Sequence, residues 1–170
     1  GPGLGGIQPS QQDYYQATRG VGHGDLRLLV LAPSSVQEMA TMTVEAFDLA
    51  DIYRIPAMIL CDGALGQMME PVDFNSIPRR ETPEKDWAAC GHNGERKKNI
   101  VNSLYIDPQV LEDVVDERYK RYDLIEENEA RCEEYLTEDA DIVLVSFGIT
   151  ARICKTAIKA AREAGIKVGL

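Results

Sequence analysis

Residues 26–62 constrain the fold more than any other stretch. Leu26-Arg27-Leu28-Leu29-Val30-Leu31-Ala32 reads as a buried strand, and Pro33-Ser34-Ser35 stops it and opens a helix reaching about Arg54. Pro56-Ala57-Met58-Ile59-Leu60-Cys61-Asp62 reads as a second strand. Strand, helix and strand in this length make a βαβ unit, whose two strands lie parallel in one sheet. In the helix, Ser34 or Ser35 followed by Gln37 or Glu38 has capping-box spacing. Val36, Met39, Ala40, Val44, Phe47 and Ala50 recur at three and four residues as one apolar face, with Thr41, Glu45 and Asp48 off it. The helix ends before Pro56.

A second βαβ unit is expected near the other end. Ala140-Asp141-Ile142-Val143-Leu144-Val145-Ser146-Phe147-Gly148 reads as a buried strand. Thr150 caps the next helix, whose face is Ile153, Ala157, Ile158 and Ala161. Gly165 stops that helix, and Ile166-Lys167-Val168 begins another strand. The fold class is therefore α/β, built from parallel-sheet βαβ units. Between the units, Pro71, Pro78 and Pro83 prevent regular structure, Trp87 anchors the connector on a packed surface, and residues 99–104 form a short strand. Asp107-Pro108 starts a helix to about Leu136, as an N-cap with proline at N1. Its face is Leu111, Val115, Tyr122, Ile125, Cys132 and Leu136, interrupted by Arg118 and Glu129, with its other acids a solvated surface. The domain division is 1–69, 70–137 and 138–170. A first residue other than methionine and a last strand cut short are what an excerpt of a longer protein would show.

Charge and cysteines narrow the function. A net charge of −10 argues against a nucleic-acid surface. The basic runs Arg79-Arg80 and Arg96-Lys97-Lys98 lie among acids and are expected to face solvent. No apolar run approaches the ~20 residues a spanning helix needs, and no signal peptide is visible, so a cytoplasmic protein without membrane contact is expected. Cys61, Cys90, Cys132 and Cys154 form no CxxC pair, and Cys61 and Cys154 fall in elements expected to be buried, so reduced thiols are expected. Cys90 and His92 lack a second pair to complete a metal site.

Two glycine-rich stretches precede the first strand. Gly1-Pro2-Gly3-Leu4-Gly5-Gly6 has the spacing G-x-G-x-x-G. A dinucleotide fingerprint needs a strand before it and a helix opening at it; no strand is read there, and Pro9 interrupts the residues where the helix would begin. The better reading is a loop whose glycines let backbone approach a neighbour closely. Residues 8–17 hold a short helix, with Ser10 as its N-cap and Asp13 in its first turn. His23, between Gly22 and Gly24, is either a turn residue bonding to backbone or a pocket residue at the mouth of the sheet. Ligands in open α/β sheets lie beyond the carboxyl ends of strands, so Asp62 and Gln67 are better site candidates than acids elsewhere. An Asp62-Gly63 turn would need no ligand.

Three motifs carry a resemblance. Gly1-Pro2-Gly3-Leu4-Gly5-Gly6-Ile7-Gln8-Pro9-Ser10-Gln11, then Gly22-His23-Gly24-Asp25, then Asp62-Gly63-Ala64-Leu65-Gly66-Gln67-Met68-Met69-Glu70 closely resemble the alpha subunit of 2-oxoacid:ferredoxin oxidoreductases. The 2-oxoisovalerate (3-methyl-2-oxobutanoate) type is nearest, and the 2-oxoglutarate type next. The run Arg96-Lys97-Lys98-Asn99-Ile100 and residues 126–148 also fit.

The resemblance implies part of a thiamine diphosphate enzyme's pyrimidine-binding domain, followed by the start of a domain like the transketolase C-terminal one. The implied enzyme oxidatively decarboxylates a 2-oxoacid, transfers the acyl group to coenzyme A and passes electrons to ferredoxin. Its partners would be a beta subunit that binds the diphosphate, a gamma subunit and a ferredoxin-like subunit. Thiamine diphosphate, Mg2+ and the iron–sulfur clusters would be held mainly by those subunits, and none by this chain alone. The glutamate that activates the aminopyrimidine ring lies upstream in the family, so Glu38, Glu45 and Glu70 are not given that role and no residue here is assigned as catalytic. The implied pocket wall comprises Gly3, Gly5, Gly6, Gln8, His23, Asp25 and Gln67. The family favours consecutive glycines before His23. Gly20-Val21-Gly22 departs from that, and a β-branched valine resists positive φ, so a different turn is expected.

The competing functions are an enzyme subunit acting on 2-oxoisovalerate, or on 2-oxoglutarate or pyruvate; a non-catalytic α/β scaffold; and a nucleotide binder built on the Gly1–Gly6 spacing.

Overall fold

The computed structural model describes residues 13–19 and 26–170. Along the chain run α1 (Asp13–Arg19), β1 (Leu29–Leu31), α2 (Val36–Tyr53), β2 (Ala57–Ile59) and α3 (Gly63–Gln67). A 3-10 turn at Phe74–Ser76 is followed by α4 (Pro108–Glu129), β3 (Ile142–Val143), α5 (Gly148–Glu163) and β4 (Val168–Gly169). The α/β class holds, with two βαβ units. β1 pairs parallel with β2 in the register Leu29↔Ala57, Val30↔Met58 and Leu31↔Ile59. β3 pairs parallel with β4 as Ile142↔Val168 and Val143↔Gly169.

The strands are shorter than their apolar runs because prolines bound the first ladder. Pro33 follows β1 and Pro56 precedes β2, and neither has an N–H to donate. The first ladder closes with Leu29 N–H on the Pro56 carbonyl at 3.1 Å and Leu60 N–H on the Leu31 carbonyl at 2.8 Å.

The start of α2 follows from its sequence. Ser35 is the extended N-cap, and its Oγ accepts the Glu38 N–H at 3.1 Å. Glu38 Oε2 reaches back one residue further than a capping box requires, accepting the Ser34 N–H at 2.7 Å and the Ser34 hydroxyl at 2.9 Å. Leu49, at 0 % exposure, forms the core with Leu29, Ile55 and Tyr122 of α4.

The buried stripe of α2 is not quite the expected one. Phe47 is 71 % exposed and Asp48 only 2 %. The connector causes the shift, because it lies over Asp48 and supplies what a buried carboxylate needs. Arg79 Nη2 donates to Asp48 Oδ1 at 3.1 Å, and the Arg80 N–H donates to Oδ2 at 3.0 Å. Arg79-Arg80 is therefore a bridge and not a purely solvent-facing run. Arg80 also binds both Glu129 oxygens, at 2.7 and 2.9 Å, and Glu45 at 3.0 Å. Glu129, which interrupts the apolar face of α4, takes the Tyr53 hydroxyl as well, at 2.8 Å. Trp87 anchors the connector as expected: the Arg54 guanidinium stacks 4.2 Å from its ring centre.

α4 starts as its sequence predicts, with Asp107 Oδ1 accepting the Gln109 N–H at 3.0 Å. It stops at Glu129, short of Leu136, because the chain beyond pairs elsewhere. Tyr135 and Leu170 exchange both backbone hydrogen bonds, at 2.7 and 2.8 Å. Cys132 and Leu136 consequently lie off the helix. Residues 99–104 form no strand. Ile100, Val101 and Leu104 are exposed, and the Leu104 N–H turns to the Asn102 side chain at 3.0 Å instead of to a ladder.

In the second unit the expected buried strand shrinks to Ile142 and Val143, both exposed, and Val145 is 95 % exposed. Its ladder has β4 on one side, and among the described residues no layer covers its outer face. Ile158 of α5 is 1 % exposed, whereas Ile153 and Ala157 face outward. Gly165, at φ +85°, ends α5 in a Schellman motif: its N–H reaches the Arg162 carbonyl and the Ile166 N–H reaches Ala161, both at 3.0 Å. All four cysteines are free; Cys61 is exposed and Cys154 half-buried, neither of them buried as expected. Among the described residues no helix is long and apolar enough to cross a membrane.

Candidate functional site

The carboxyl ends of β1 and β2 open onto Pro33-Ser34-Ser35 and Cys61-Asp62-Gly63, and the N-termini of α2 and α3 start there. The first turn of α5 arrives at the same place from the second unit. Thr150 does not cap α5, which begins at Gly148 with no side-chain cap from its own N-cap residue, Phe147. Asp62 supplies the acceptor. Its Oδ1 takes the Leu65 N–H of α3 at 2.9 Å, and its Oδ2 takes the Ile149 N–H of α5 at 3.3 Å, from 87 positions away. Gly148 sits at φ +62°, where an added Cβ would come 3.6 Å from Asp62 Oδ2 and 3.7 Å from the Pro33 carbonyl oxygen. Only glycine adopts that backbone readily.

Glu70 makes the second connection. Its Oε2 accepts the Val36 N–H at the start of α2 at 3.1 Å, and its Oε1 pairs with Arg152 of α5 at 2.6 Å. The Arg152 hydrogen bond, then the Val36 N–H, hold the Glu70 carboxyl below the usual glutamate value. On the far side, the Tyr14 ring of α1 stands 6.0 Å from that of Phe147. One turn of α5 is thus joined to α1 through Phe147, to the end of β2 through Asp62, and to the start of α2 by way of Glu70.

Of the residues expected in a pocket wall, Gln67 is exposed at the end of α3. Gly3, Gly5, Gly6, Gln8, His23 and Asp25 lie outside the described residues, as do Ser10 and the Gly20-Val21-Gly22 turn. The three glutamates withheld from a catalytic role all have other partners: Glu38 in the α2 cap, Glu45 with Arg80 and Arg131, and Glu70 with Arg152. His92 Nδ1 accepts the Gly94 N–H at 3.0 Å within its own loop.

Sequence reasoning missed Arg152, and it missed Asp62 as a bridge between units. Neither has a local signal, because each partner lies in the other unit. Asp62 was legible only as a turn residue or a ligand candidate.

A diphosphate with Mg2+ needs free backbone donors and a cluster of oxygen ligands. Here the starts of α2, α3 and α5 already give N–H groups to Ser35, Glu70 and Asp62. Among the described residues no group of three or more His, Cys, Asp or Glu could hold a metal. The described residues therefore do not fit the diphosphate–Mg2+ end of thiamine diphosphate or an iron–sulfur cluster.

Comparison with known proteins agrees with this architecture. The family described as "Pyruvate flavodoxin/ferredoxin oxidoreductase, thiamine diP-bdg" matches residues 2–134. The ketoisovalerate oxidoreductase subunit VorB of Methanothermobacter thermautotrophicus is 51 % identical over 170 residues, covering 100 % of this chain and 48 % of that protein. The 2-oxoglutarate synthase subunit KorA of Methanocaldococcus jannaschii is 33 % identical over 193 residues, covering 99 % of this chain and 52 % of that protein. The chain thus spans about half the length of the curated relatives it matches. In fold it is similar to the 2-oxoglutarate:ferredoxin oxidoreductase from Magnetococcus marinus solved with 2-oxoglutarate, coenzyme A and succinyl-CoA bound. That likeness has a TM-score of 0.65 and 22 % identity, over 94 % of this chain and 32 % of that one.

Proposed function

We propose, from the premise that this chain belongs to the pyruvate flavodoxin/ferredoxin oxidoreductase thiamine diphosphate-binding family, that it is part of the alpha subunit of a 2-oxoacid:ferredoxin oxidoreductase. The substrate is 2-oxoisovalerate, which is oxidatively decarboxylated to its acyl-CoA with electrons passed to ferredoxin. The observation that carries this reading is the 51 % identity to a ketoisovalerate oxidoreductase subunit across the whole chain, against 33 % to a 2-oxoglutarate synthase subunit.

The chain's own part is to shape the pocket. Thiamine diphosphate, when bound, supplies the carbanion chemistry. The helix starts at the mouth of the β1–β2 sheet are occupied by carboxylates of this chain, which fits a diphosphate and Mg2+ held by a beta subunit. The clusters belong to a ferredoxin-like subunit, and a gamma subunit completes the complex in the cytoplasm. Residues 1–69 are the later part of the pyrimidine-binding domain, 70–137 the connector and 138–170 the start of the transketolase-C-terminal-like domain. Gly3, Gly5, Gly6, Gln8, His23, Asp25 and Gln67 line the pocket.

The test uses the full-length subunit assembled with its partner subunits. Coenzyme-A-dependent viologen reduction is measured with 2-oxoisovalerate, 2-oxoglutarate and pyruvate, with and without thiamine diphosphate. The expected result is cofactor-dependent reduction with the highest kcat/KM on 2-oxoisovalerate. Preference for another acid would overturn the substrate. No reduction with any acid, from a complex shown to hold cofactor and clusters, would leave the scaffold reading.

A further inference from the structure

We propose that the first turn of α5, Phe147 to Arg152, is a positioning element for the pocket at the carboxyl end of the β1–β2 sheet, held there by Asp62 and Glu70 as a two-point clamp. The proposal rests on the function above and names residues which that reading does not use.

Three contacts converge on this one turn, from the end of β2, from Glu70 beyond α3 and from α1. Asp62 Oδ2 accepts the Ile149 N–H at 3.3 Å. Arg152 pairs with Glu70 at 2.6 Å, while the other Glu70 oxygen accepts the first N–H of α2. The Phe147 ring meets Tyr14 of α1 at 6.0 Å. Each carboxylate divides its two oxygens between the units, so a rotation of the second unit must break both connections together. A clamp of two charge-assisted bonds about one helical turn apart fixes angle as well as distance. In sequence, α1 lies between the two glycine-rich stretches. A turn that fixes α1, the end of β2 and, by way of Glu70, the start of α2 in one arrangement fixes how a 2-oxoacid is held, and small misplacements there are costly.

The effect should appear in substrate binding and not in the later steps. In the assembled enzyme, Arg152→Met should raise KM for the preferred 2-oxoacid about 5–10-fold, leaving kcat and KM for coenzyme A within about twofold. Arg152→Lys should restore most of the loss, because it keeps the charge opposite Glu70. Phe147→Leu, a milder change that retains apolar packing, should raise the same KM about 3-fold and speed amide exchange over residues 13–19. That exchange readout is independent of turnover.

An unchanged 2-oxoacid KM in both Arg152→Met and Phe147→Leu, from an active wild type, would overturn the proposal. So would a lowered Tm with no KM shift, the mark of a purely structural role. If Arg152→Met does not assemble, Phe147→Leu decides alone. If wild type turns over no 2-oxoacid, the proposed function fails, and unchanged exchange over residues 13–19 in Phe147→Leu would overturn the clamp separately.

Discussion

The two βαβ units share one topology and differ in how far each completes itself. The first caps its own helix with Ser35, buries Leu49 against Leu29, Ile55 and Tyr122, and is strapped by the connector through Asp48, Arg79 and Arg80. The second has two-residue strands, of which β3 is exposed and β4 buried, and its helix takes an N-terminal acceptor from Asp62 in the first. A strand–helix–strand pattern specifies connectivity and handedness. It does not specify autonomy, which depends on what covers the sheet and who satisfies the helix ends.

Substitutions can break or sharpen this contrast. Leu49→Ala empties the best-packed site of the first unit and should cost about 2–5 kcal/mol, read by chemical denaturation of the full-length subunit. An equal loss from Ile153→Ala, which is exposed in the second unit, would contradict the contrast. Asp48→Ala removes the connector's buried anchor and should cost about 1.5–3 kcal/mol, as hydrogen bonds to a charged group do.

Asp48 also predicts a pH dependence. The Arg80 N–H lowers its carboxyl pKa most; burial opposes this, and the Arg79 guanidinium adds to the lowering, leaving it below the ordinary 3.8. The stabilisation is complete above that ordinary value and is lost as pH falls through the lower folded value. The stability gap between wild type and Asp48→Ala should therefore close on acidification below 3.8, measured as denaturation midpoints across that range.

Gly169→Ala probes the second unit where its backbone is tightest. An added Cβ would come 2.5 Å from the Leu136 carbonyl oxygen and 3.0 Å from the Thr137 Cα. Backbone there must move, at a cost of about 1–3 kcal/mol, and amide exchange should rise for Leu144, whose N–H binds the Gly169 carbonyl at 2.8 Å. The smallest effects come from the caps. Ser35→Ala should cost about 1 kcal/mol, while Thr150→Ala, which removes no cap, should stay within about 0.5 kcal/mol. Equal losses at the two sites would show that α5 relies on Thr150 after all.

What the sequence made legible was local. Ser35 with Glu38, Asp107 with Pro108, and Gly165 each act within a turn of their own helix, and each stands where its spacing predicts. Asp48, Glu129 and Arg80 were misread for the opposite reason. Asp48 off the apolar face, Arg80 in a basic run and Glu129 interrupting a stripe each read as solvated or mismatched charges until the partner is known, and these partners come from the connector or another helix. The buried strand expected at 140–148 failed because an apolar run records what a segment can bury, not whether this chain covers it. For the site, the wording of three motifs identified the family, but only Gln67 of its proposed pocket residues lies among those described.

The borrowed cap at Asp62 gives the fold an order in time. α5 gains its N-terminal acceptor only once β2 has placed Asp62 beside it, so its first turn is satisfied after the first unit forms. A chain made from its N-terminus presents the donor of that help before the recipient. The dependence therefore runs in the direction of synthesis, and the later helix matures on a surface already in place.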